Sequence, residues 1–112
     1  MQITSNIIVL SVDLSTSEYK ILDNLPKFRW DGGTKVDALE EISKTLSITK
    51  KWFRINLLDY FDIIDDEFNI YYLTVIPGYL DFNNKGFSWE TMNKLNKDLR
   101  EYILQNLYQY LE

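Results

Sequence analysis

The pattern of apolar and polar residues divides the chain into strand-like and helix-like stretches. An unbroken apolar run from Ile7 to Leu10 lies within a β-branched segment over residues 3–14. Such a run favours a strand that is covered on both faces, in the middle of a sheet. The polar residues 13–17 predict a turn, and residues 18–23 alternate enough to form the returning strand of a hairpin.

A Gly-Gly turn and the helix-like stretch after it organise the middle of the chain. A short extended piece over residues 28–30 leads into Asp31, Gly32 and Gly33. Apolar residues then recur at helical spacing: Val36, Leu39, Ile42 and Leu46. Polar residues occupy the other side of the same stretch: Asp37, Glu40, Glu41 and Lys44. We therefore predict an amphipathic helix of about three turns.

Two more strands and a last helix complete the predicted elements. Residues 51–60 and 68–75 have the aromatic and β-branched content of strands, and the acidic run 62–67 predicts the hairpin loop between them. Ser88 is a candidate N-cap, with Glu90 in the first turn behind it. The helix that follows has a broad apolar face that includes Leu95, Leu99, Tyr102, Ile103 and Tyr110. This order predicts an α/β fold of the α+β kind, with a mixed β-sheet sandwiched between two helices.

Composition narrows the possible chemistry. With 112 residues, 46% of them hydrophobic and 15% aromatic, the chain is expected to form a single domain over residues 1–112. It has no cysteine and no histidine, which excludes disulfides, thiolate or imidazole zinc sites and Ser-His-Asp catalysis. Any metal would have to be a hard cation held by carboxylate and carbonyl oxygens. No cofactor is indicated.

The charge narrows the possible partners. The net charge is −5 and the isoelectric point is near 4.7. This acidity argues against a nucleic-acid backbone or an anionic membrane as the main partner, and it suits a protein with a basic surface. No apolar run approaches the ~20 residues that cross a bilayer, and the first residues lack the basic region of a signal peptide. A cytoplasmic location is expected.

The element order, with a Gly-Gly turn before the first helix, resembles the Nudix family. That family has a mixed sheet between helices and a loop-helix-loop motif that binds a divalent metal. In the register that keeps the apolar positions, Glu41 matches the glutamate that follows the family's arginine, and Glu40 stands in place of that arginine. Lys44 and Thr45 stand where the paired metal-binding glutamates should be. The loop after Gly33 is also shorter than the family's loop, without room for its extra glutamate.

These substitutions bear on catalysis. A Mg²⁺ ion beside a diphosphate needs several converging carboxylate oxygens, and Lys44, one turn beyond Glu40, neutralises the field that would attract the ion. An ordinary solvated helix face with a Glu40–Lys44 pair accounts for the same residues. We predict no metal site and no Nudix-type hydrolysis. The alternative is a divergent Mg²⁺-dependent hydrolase of nucleoside-diphosphate-linked compounds that uses Glu40 and Glu41.

A nucleotide-derived ligand is a second hypothesis. The chain looks most like the sensor-type Nudix domains of transcription regulators, which bind ADP-ribose-like ligands without hydrolysing them. Trp30 can stack on a base, Arg29 can hold a phosphate, and Gly32 and Gly33 permit a close backbone approach. Glu41 is the remaining candidate for ligand binding. The simpler explanation is that Trp30 is a core residue and the glycines only turn the chain.

Binding to another protein is the first hypothesis. The densest negative patch comprises Asp62, Asp65, Asp66 and Glu67, and it suits a basic partner. Its spacing lacks the glycine and the closing glutamate of an EF-hand calcium loop. Three tyrosines of the last helix suit protein contacts, although core packing explains part of this set: Tyr102, Tyr108 and Tyr110. We therefore expect a catalytically inactive Nudix-like domain that binds a protein, or a second copy of itself as a homodimer.

Overall fold

The computed structural model describes residues 2–13, 18–23, 27–29, 40, 42–44, 54–77 and 88–109. Its described strands are β1 (Gln2–Asp13), β2 (Glu18–Leu22), β3 (Lys27–Arg29), β4 (Ile55–Ile64), β5 (Glu67–Pro77) and β6 (Trp89–Thr91). Helix α1 spans Lys97–Gln105, and 3₁₀ turns span Met92–Lys94 and Leu107–Gln109. Residues 40 and 42–44 are also helical.

Strand β1 is the centre of the sheet. It pairs with β5 in parallel and with β2 and β3 in antiparallel fashion. The strand order is β4-β5-β1-β2-β6, with β3 also paired to β1. Every residue from 4 to 12 is buried, as a strand covered on both faces requires. The central position predicted from the apolar run is therefore confirmed, and so is the hairpin formed by β1 and β2.

The main described core lies between the sheet and α1. Leu99 and Ile103 point from the helix into a cluster that includes Leu10 of β1 and Leu73 of β5. Each of these four side chains is at most 2% exposed, so each contributes about 1.5–3 kcal/mol through burial. Ile42 is also fully buried but is not a member of this cluster. A mixed sheet with two helical elements is the α+β fold that the sequence predicted.

The hairpin of β4 and β5 has a shorter loop than predicted. Ile64 pairs with Glu67, so only Asp65 and Asp66 form the turn. Both have positive φ, 52° and 62°, which is the backbone of a type I′ turn and matches the twist of the flanking strands. The prediction that residues 62–67 form the loop was too long. The β-branched residues before the turn extend the strand, and aspartate tolerates the left-handed region.

The predicted start of the last helix was wrong. Ser88 precedes β6, and its backbone N–H donates to Asp23 Oδ1 at 2.8 Å. The N-cap of α1 is Asn96, whose side chain accepts a hydrogen bond from Leu99 N at 2.8 Å. Asp98 in the first turn suits the helix dipole. Pairing of β6 with β2 outweighs the local cap signal at Ser88.

The amphipathic helix predicted over residues 36–46 is described at residues 40 and 42–44. All four are helical, with Ile42 buried and Glu40 and Lys44 exposed, as the pattern predicts. The strand predicted over residues 51–60 is observed as β4, Ile55–Ile64. It therefore begins and ends about four residues later than predicted, closer to the hairpin turn. No helix within the described part of the chain is both long and apolar enough to cross a membrane.

Candidate functional site

The residues predicted to bind a nucleotide-derived ligand lie mostly beyond the described ranges. These are Trp30, Gly32, Gly33 and Glu41, and the same holds for Thr45 and Tyr110. The backbone of Arg29 is described: it is the last residue of β3 and is paired with Thr4 on β1. The ligand site predicted from these residues therefore stays a prediction.

The described residues of the helix predicted over 36–46 place opposite charges on one face. Glu40 and Lys44 are both exposed and one turn apart, so a positive charge lies on the same helix face as this carboxylate. Among the described residues, no group of three or more aspartates or glutamates is arranged to hold a metal ion. Mg²⁺ is held in proteins by converging carboxylates. The positive charge of Lys44 opposes the negative field that would attract the ion.

Asp62 lies at the centre of a hydrogen-bonded cluster between β4, β5 and α1. Its Oδ2 accepts a hydrogen bond from Tyr71 Oη at 2.8 Å and another from Asn96 Nδ2 at 3.1 Å. Its Oδ1 is buried and has no hydrogen-bond partner among the described residues. Asn96 also caps α1, so Asp62 connects the hairpin directly to the start of the helix. Asp62 was predicted to belong to the exposed loop patch, and this half-buried strand position corrects that placement.

Three tyrosines surround this cluster. The ring of Tyr60 lies 5.7 Å from the rings of both Tyr71 and Tyr102, measured between centroids. Tyr102 Oη accepts a hydrogen bond from the backbone N–H of Asp59 at 3.1 Å. Tyr102, predicted as an interface residue, therefore holds α1 against β4. Tyr108 is different, since 86% of it is exposed.

The surroundings keep two of these tyrosines protonated. Burial raises the pKa of Tyr71 well above its usual range, and the hydrogen bond and negative charge of Asp62 raise it further. Burial also raises the pKa of Tyr60, with smaller contributions from the charges of Asp62 and Asp98. Both phenols therefore remain hydrogen-bond donors at neutral pH. Tyr71 donates its hydrogen bond to Asp62, whereas Tyr60 donates to Asn96 Oδ1 at 3.4 Å.

The opposite face of the hairpin exposes apolar side chains. Leu57, Phe61 and Ile63 of β4 are 51%, 60% and 56% exposed. Phe61 stacks on Phe68 of β5, with ring centroids 4.9 Å apart and planes 18° apart. The sequence reasoning missed this surface because apolar residues occur on both alternating positions of the strand. The pattern therefore gave no sign of which face meets solvent.

The acidic end of the hairpin borders this apolar face. Asp65 and Asp66 are exposed in the turn, as the sequence predicted for a contact patch. Glu67 is also exposed, and Thr4 Oγ1 donates a hydrogen bond to its Oε1. Within the predicted patch, Asp65 and Asp66 are therefore the residues that are exposed and lie at the tip of the hairpin. Their position beside Ile63 places negative charge at one end of an apolar strip.

A cavity of about 580 Å³ lies between the sheet and the start of α1. Its lining combines apolar side chains, Ile8 and Leu99 among them, with the polar groups of Asn6, Tyr71 and Asn96. At the rim, Glu90 and Lys94 form an ion pair at 3.9 Å. A cavity of this volume with a few polar groups is in the range of small-molecule sites. Spacing within one segment could not reveal it, because its lining comes from β1, β2, β5, β6, the segment before α1 and α1 itself.

Comparison with known proteins adds one finding. No protein-family model matches the chain, and no curated protein matches it. Two solved structures of Ap4A hydrolase from C. elegans do match. One, a binary complex, has a TM-score of 0.62 and 14% identity over 98% of this chain and 100% of that chain. The other has a TM-score of 0.55 and 14% identity over 100% of this chain and 99% of that chain.

The fold is Nudix-like. Ap4A hydrolases are Nudix enzymes, and the likeness to them extends over nearly the whole of both chains. The predicted Nudix-like architecture is therefore confirmed. At 14% identity the likeness concerns the fold alone, so a particular activity does not follow from it. The predicted similarity to sensor-type regulators and the predicted loss of catalysis remain predictions.

Proposed function

We propose that this chain is a Nudix-like domain that acts by binding another protein. The contact surface, called here the hairpin surface, comprises Leu57, Phe61 and Ile63 of β4 with Asp65 and Asp66 of the turn. The observation that carries the proposal is that three large apolar side chains of one strand are each at least half exposed. Large apolar side chains exposed together on one surface are typical of interaction sites.

The composition of the hairpin surface suits recognition. Phe61 is a rigid aromatic residue, already stacked on Phe68, and aromatic anchors provide much of the binding energy of protein interfaces. Burial of these apolar side chains by a partner is favourable by about 25 cal/mol for each Å² of apolar area that is removed from water. The carboxylates of Asp65 and Asp66 favour a partner with basic residues beside its apolar contact. A net charge of −5 acts in the same direction at longer range.

We also infer that the chain does not hydrolyse nucleotides. Lys44 and Thr45 replace the metal-binding glutamates in the register of the family resemblance, and Lys44 is exposed on the helix. Purified protein is expected to leave ADP-ribose, Ap4A and nucleoside triphosphates intact in the presence of Mg²⁺. Mg²⁺-dependent cleavage that is lost in Glu41→Gln would contradict this inference.

Variants of the hairpin surface test the binding function. A partner captured from an extract of the source organism is identified by mass spectrometry, purified, and titrated against wild type and variants. The double variant Phe61→Ser/Ile63→Thr is expected to weaken binding at least tenfold, or about 1.4 kcal/mol. Leu104→Ser is the matched control, because Leu104 is a 43% exposed apolar residue on α1. Equal binding by the double variant and the control would refute the hairpin surface.

A nucleotide-derived ligand is the second candidate, because the fold is shared with Ap4A hydrolases and the chain has a cavity of suitable volume. Calorimetry with ADP-ribose and Ap4A, with and without Mg²⁺, tests it. Micromolar binding that is lost in Lys94→Glu, at the cavity rim, and kept in Lys97→Glu would support a ligand in the cavity. Lys97 is an exposed lysine in the first turn of α1 and does not line the cavity. The absence of binding heat with both compounds would exclude this candidate for them.

A further inference from the structure

Strand β4 has an open edge as far as the described residues are concerned. Within the described ranges it pairs with β5 alone, and it is the last strand in the sheet order. In an antiparallel hairpin closed by a two-residue turn, the pair flanking the turn exchanges backbone hydrogen bonds, and the bonded pairs then alternate. The bonded pairs are Ile64 with Glu67 and Asp62 with Asn69 by this rule. The backbone N–H and C=O groups of Phe61 and Ile63 therefore point away from β5.

The same two residues supply the most exposed apolar side chains of the strand. Phe61 and Ile63 are 60% and 56% exposed, and their side chains lie on one face because they are two residues apart. Before Phe61, the backbone of β4 is less available for pairing. The strand is irregular between Leu57 and Phe61, and the N–H of Asp59 already donates to Tyr102 Oη. The edge that is free for pairing is therefore short and ends at the acidic turn.

The charge of the hairpin favours one kind of occupant. Five carboxylates and a single basic residue, Arg54, lie within residues 54–67. Pairing of two such hairpins would bring like charges together, whereas lysine or arginine beside the turn would be attracted to Asp65 and Asp66. A second copy of this chain is therefore disfavoured. A basic segment is favoured.

We propose that an extended segment of the partner protein adds to the edge of β4 as a further strand, pairing with the backbone of Phe61 and Ile63. Its alternate apolar side chains cover Phe61 and Ile63, and its lysine or arginine side chains lie beside Asp65 and Asp66. This mode rests on the proposed protein-binding function and specifies how it operates. Backbone hydrogen bonds supply affinity in such strand addition, and the side-chain contacts supply specificity.

A proline variant isolates the backbone contribution. Because the N–H of Ile63 points outward, Ile63→Pro removes a donor that the β4–β5 ladder does not use. Ile63→Val is the matched control, since it keeps both the donor and an apolar β-branched side chain. The probe is a short synthetic peptide that alternates valine and lysine, carries a fluorophore, and is titrated by fluorescence anisotropy. We expect wild type and Ile63→Val to bind alike, and Ile63→Pro to bind at least tenfold more weakly.

The peptide provides a second measurement that does not depend on how the proline variant folds. Methylation of its alternate backbone nitrogens removes donors while keeping every side chain, so it should abolish binding to wild type. Replacement of its lysines by glutamates should do the same because of Asp65 and Asp66. Raising the salt concentration should weaken binding of the lysine peptide, since exposed charges are screened within about 8 Å at physiological ionic strength.

The possible results separate this mode from the function on which it rests. If Ile63→Pro and the methylated peptide bind as well as their controls, while Phe61→Ser/Ile63→Thr still loses the purified partner, strand addition is wrong and protein binding stands. If the double variant also keeps the partner, both proposals are wrong. If light scattering finds a dimer that Ile63→Pro disrupts, the added strand belongs to a second copy, and the basic partner is wrong.

Discussion

Strands β1 and β4 are both rich in apolar residues, but they occupy opposite situations in the sheet. β1 has paired strands on both sides, and its residues 4–12 are all buried. β4 pairs with β5 alone within the described ranges, and only Ile55 and Leu58 of its ten residues are buried. Leu10 of β1 is fully buried, whereas Leu57 of β4 is half exposed. The position of a strand in the sheet therefore decides whether its leucines stabilise the fold or remain available for contact.

The buried polar residues of β1 and the exposed apolar residues of β4 sharpen this contrast. Ser5 and Asn6 of β1 are buried, while Phe61 and Ile63 of β4 are exposed. Asn6 Nδ2 donates to Asn69 Oδ1 at 3.2 Å and to the carbonyl of Ile70 at 3.1 Å, which compensates its burial. The usual placement of polar and apolar residues is thus reversed locally. β1 therefore serves stability, and the proposed recognition surface lies on β4.

The largest expected effect comes from truncating a leucine in each strand. Leu10→Ala removes a fully buried side chain from the core and is expected to lower the free energy of unfolding by about 3–4 kcal/mol. Leu57→Ala removes a side chain that is 51% exposed and is expected to lower it by less than about 1 kcal/mol. Urea unfolding followed by circular dichroism measures both. Equal losses would contradict the division between the two strands.

Removal of the hydrogen bonds that connect β4 to α1 is expected to have the next largest effect on the free energy of unfolding. Asn96→Ala removes the cap of α1 and a hydrogen bond to Asp62, and it is expected to destabilise the fold by about 2 kcal/mol. Asn96→Ser can retain the cap without reaching Asp62, so it should lose about half as much. Asn93→Ala is the control, since Asn93 is exposed and its side chain accepts a hydrogen bond from Arg100 at 3.0 Å. A loss in Asn93→Ala as large as that in Asn96→Ala would argue against a special role for this connection.

Substitution of Tyr71 is expected to have a smaller effect on the free energy of unfolding, and this effect depends on pH. Tyr71→Phe removes the hydrogen bond to Asp62 and is expected to cost about 1–2 kcal/mol at neutral pH. The pKa of Tyr71 is raised in the fold, so the unfolded chain, with an ordinary tyrosine pKa of about 10, loses this proton first as the pH rises. The stabilisation is therefore complete below pH ~10 and declines above it.

Urea unfolding at a series of alkaline pH values measures this decline. The decline is expected to be shallower in Tyr71→Phe, because one titrating group is removed. Tyr108→Phe is the control, since Tyr108 is 86% exposed. A decline in Tyr71→Phe as steep as that in wild type would show that the phenol of Tyr71 does not carry the effect.

The smallest effect is expected at the turn that ends β4. Asp66 has a φ of 62°, a conformation that costs a residue with a Cβ about 1 kcal/mol more than glycine. Asp66→Gly is therefore expected to stabilise the protein by up to about 1 kcal/mol, measured as a rise in Tm. Glu101→Gly, in the middle of α1, should instead destabilise it by about 1 kcal/mol. A lower Tm in Asp66→Gly would mean that the carboxylate of Asp66 contributes more than its backbone strain costs.

Local pattern predicted those parts of the fold that depend on neighbouring residues. The apolar run from Ile7 to Leu10 was sufficient to place β1 in the centre of the sheet, because few other structures bury four consecutive apolar residues. The hairpin of β4 and β5 was also predicted, although its turn was placed over too many residues. A type I′ turn usually carries Asn-Gly, and Asp65-Asp66 is a weaker signal for it.

Features that depend on distant residues were not predicted. Ser88 had the composition of an N-cap, but β6 pairs with β2, some 70 residues earlier, and that pairing decides its conformation. Asn96 was an equally good cap by type, with Asp98 in the first turn as a supporting signal. The cavity and the exposed strip arise from packing among several strands. No spacing within one segment reveals either of them.

The parallel pairing of β1 with β5 has a consequence for how the chain folds. Contacts such as those of Thr4 with Glu67 and Asn6 with Asn69 join residues 63 positions apart. Bringing such distant segments together costs loop-closure entropy before the contacts form, so the domain is expected to fold slowly for its size. During synthesis, the most apolar strand must wait without its central partner until β5 has left the ribosome. Until then β1 is the segment most in need of a chaperone.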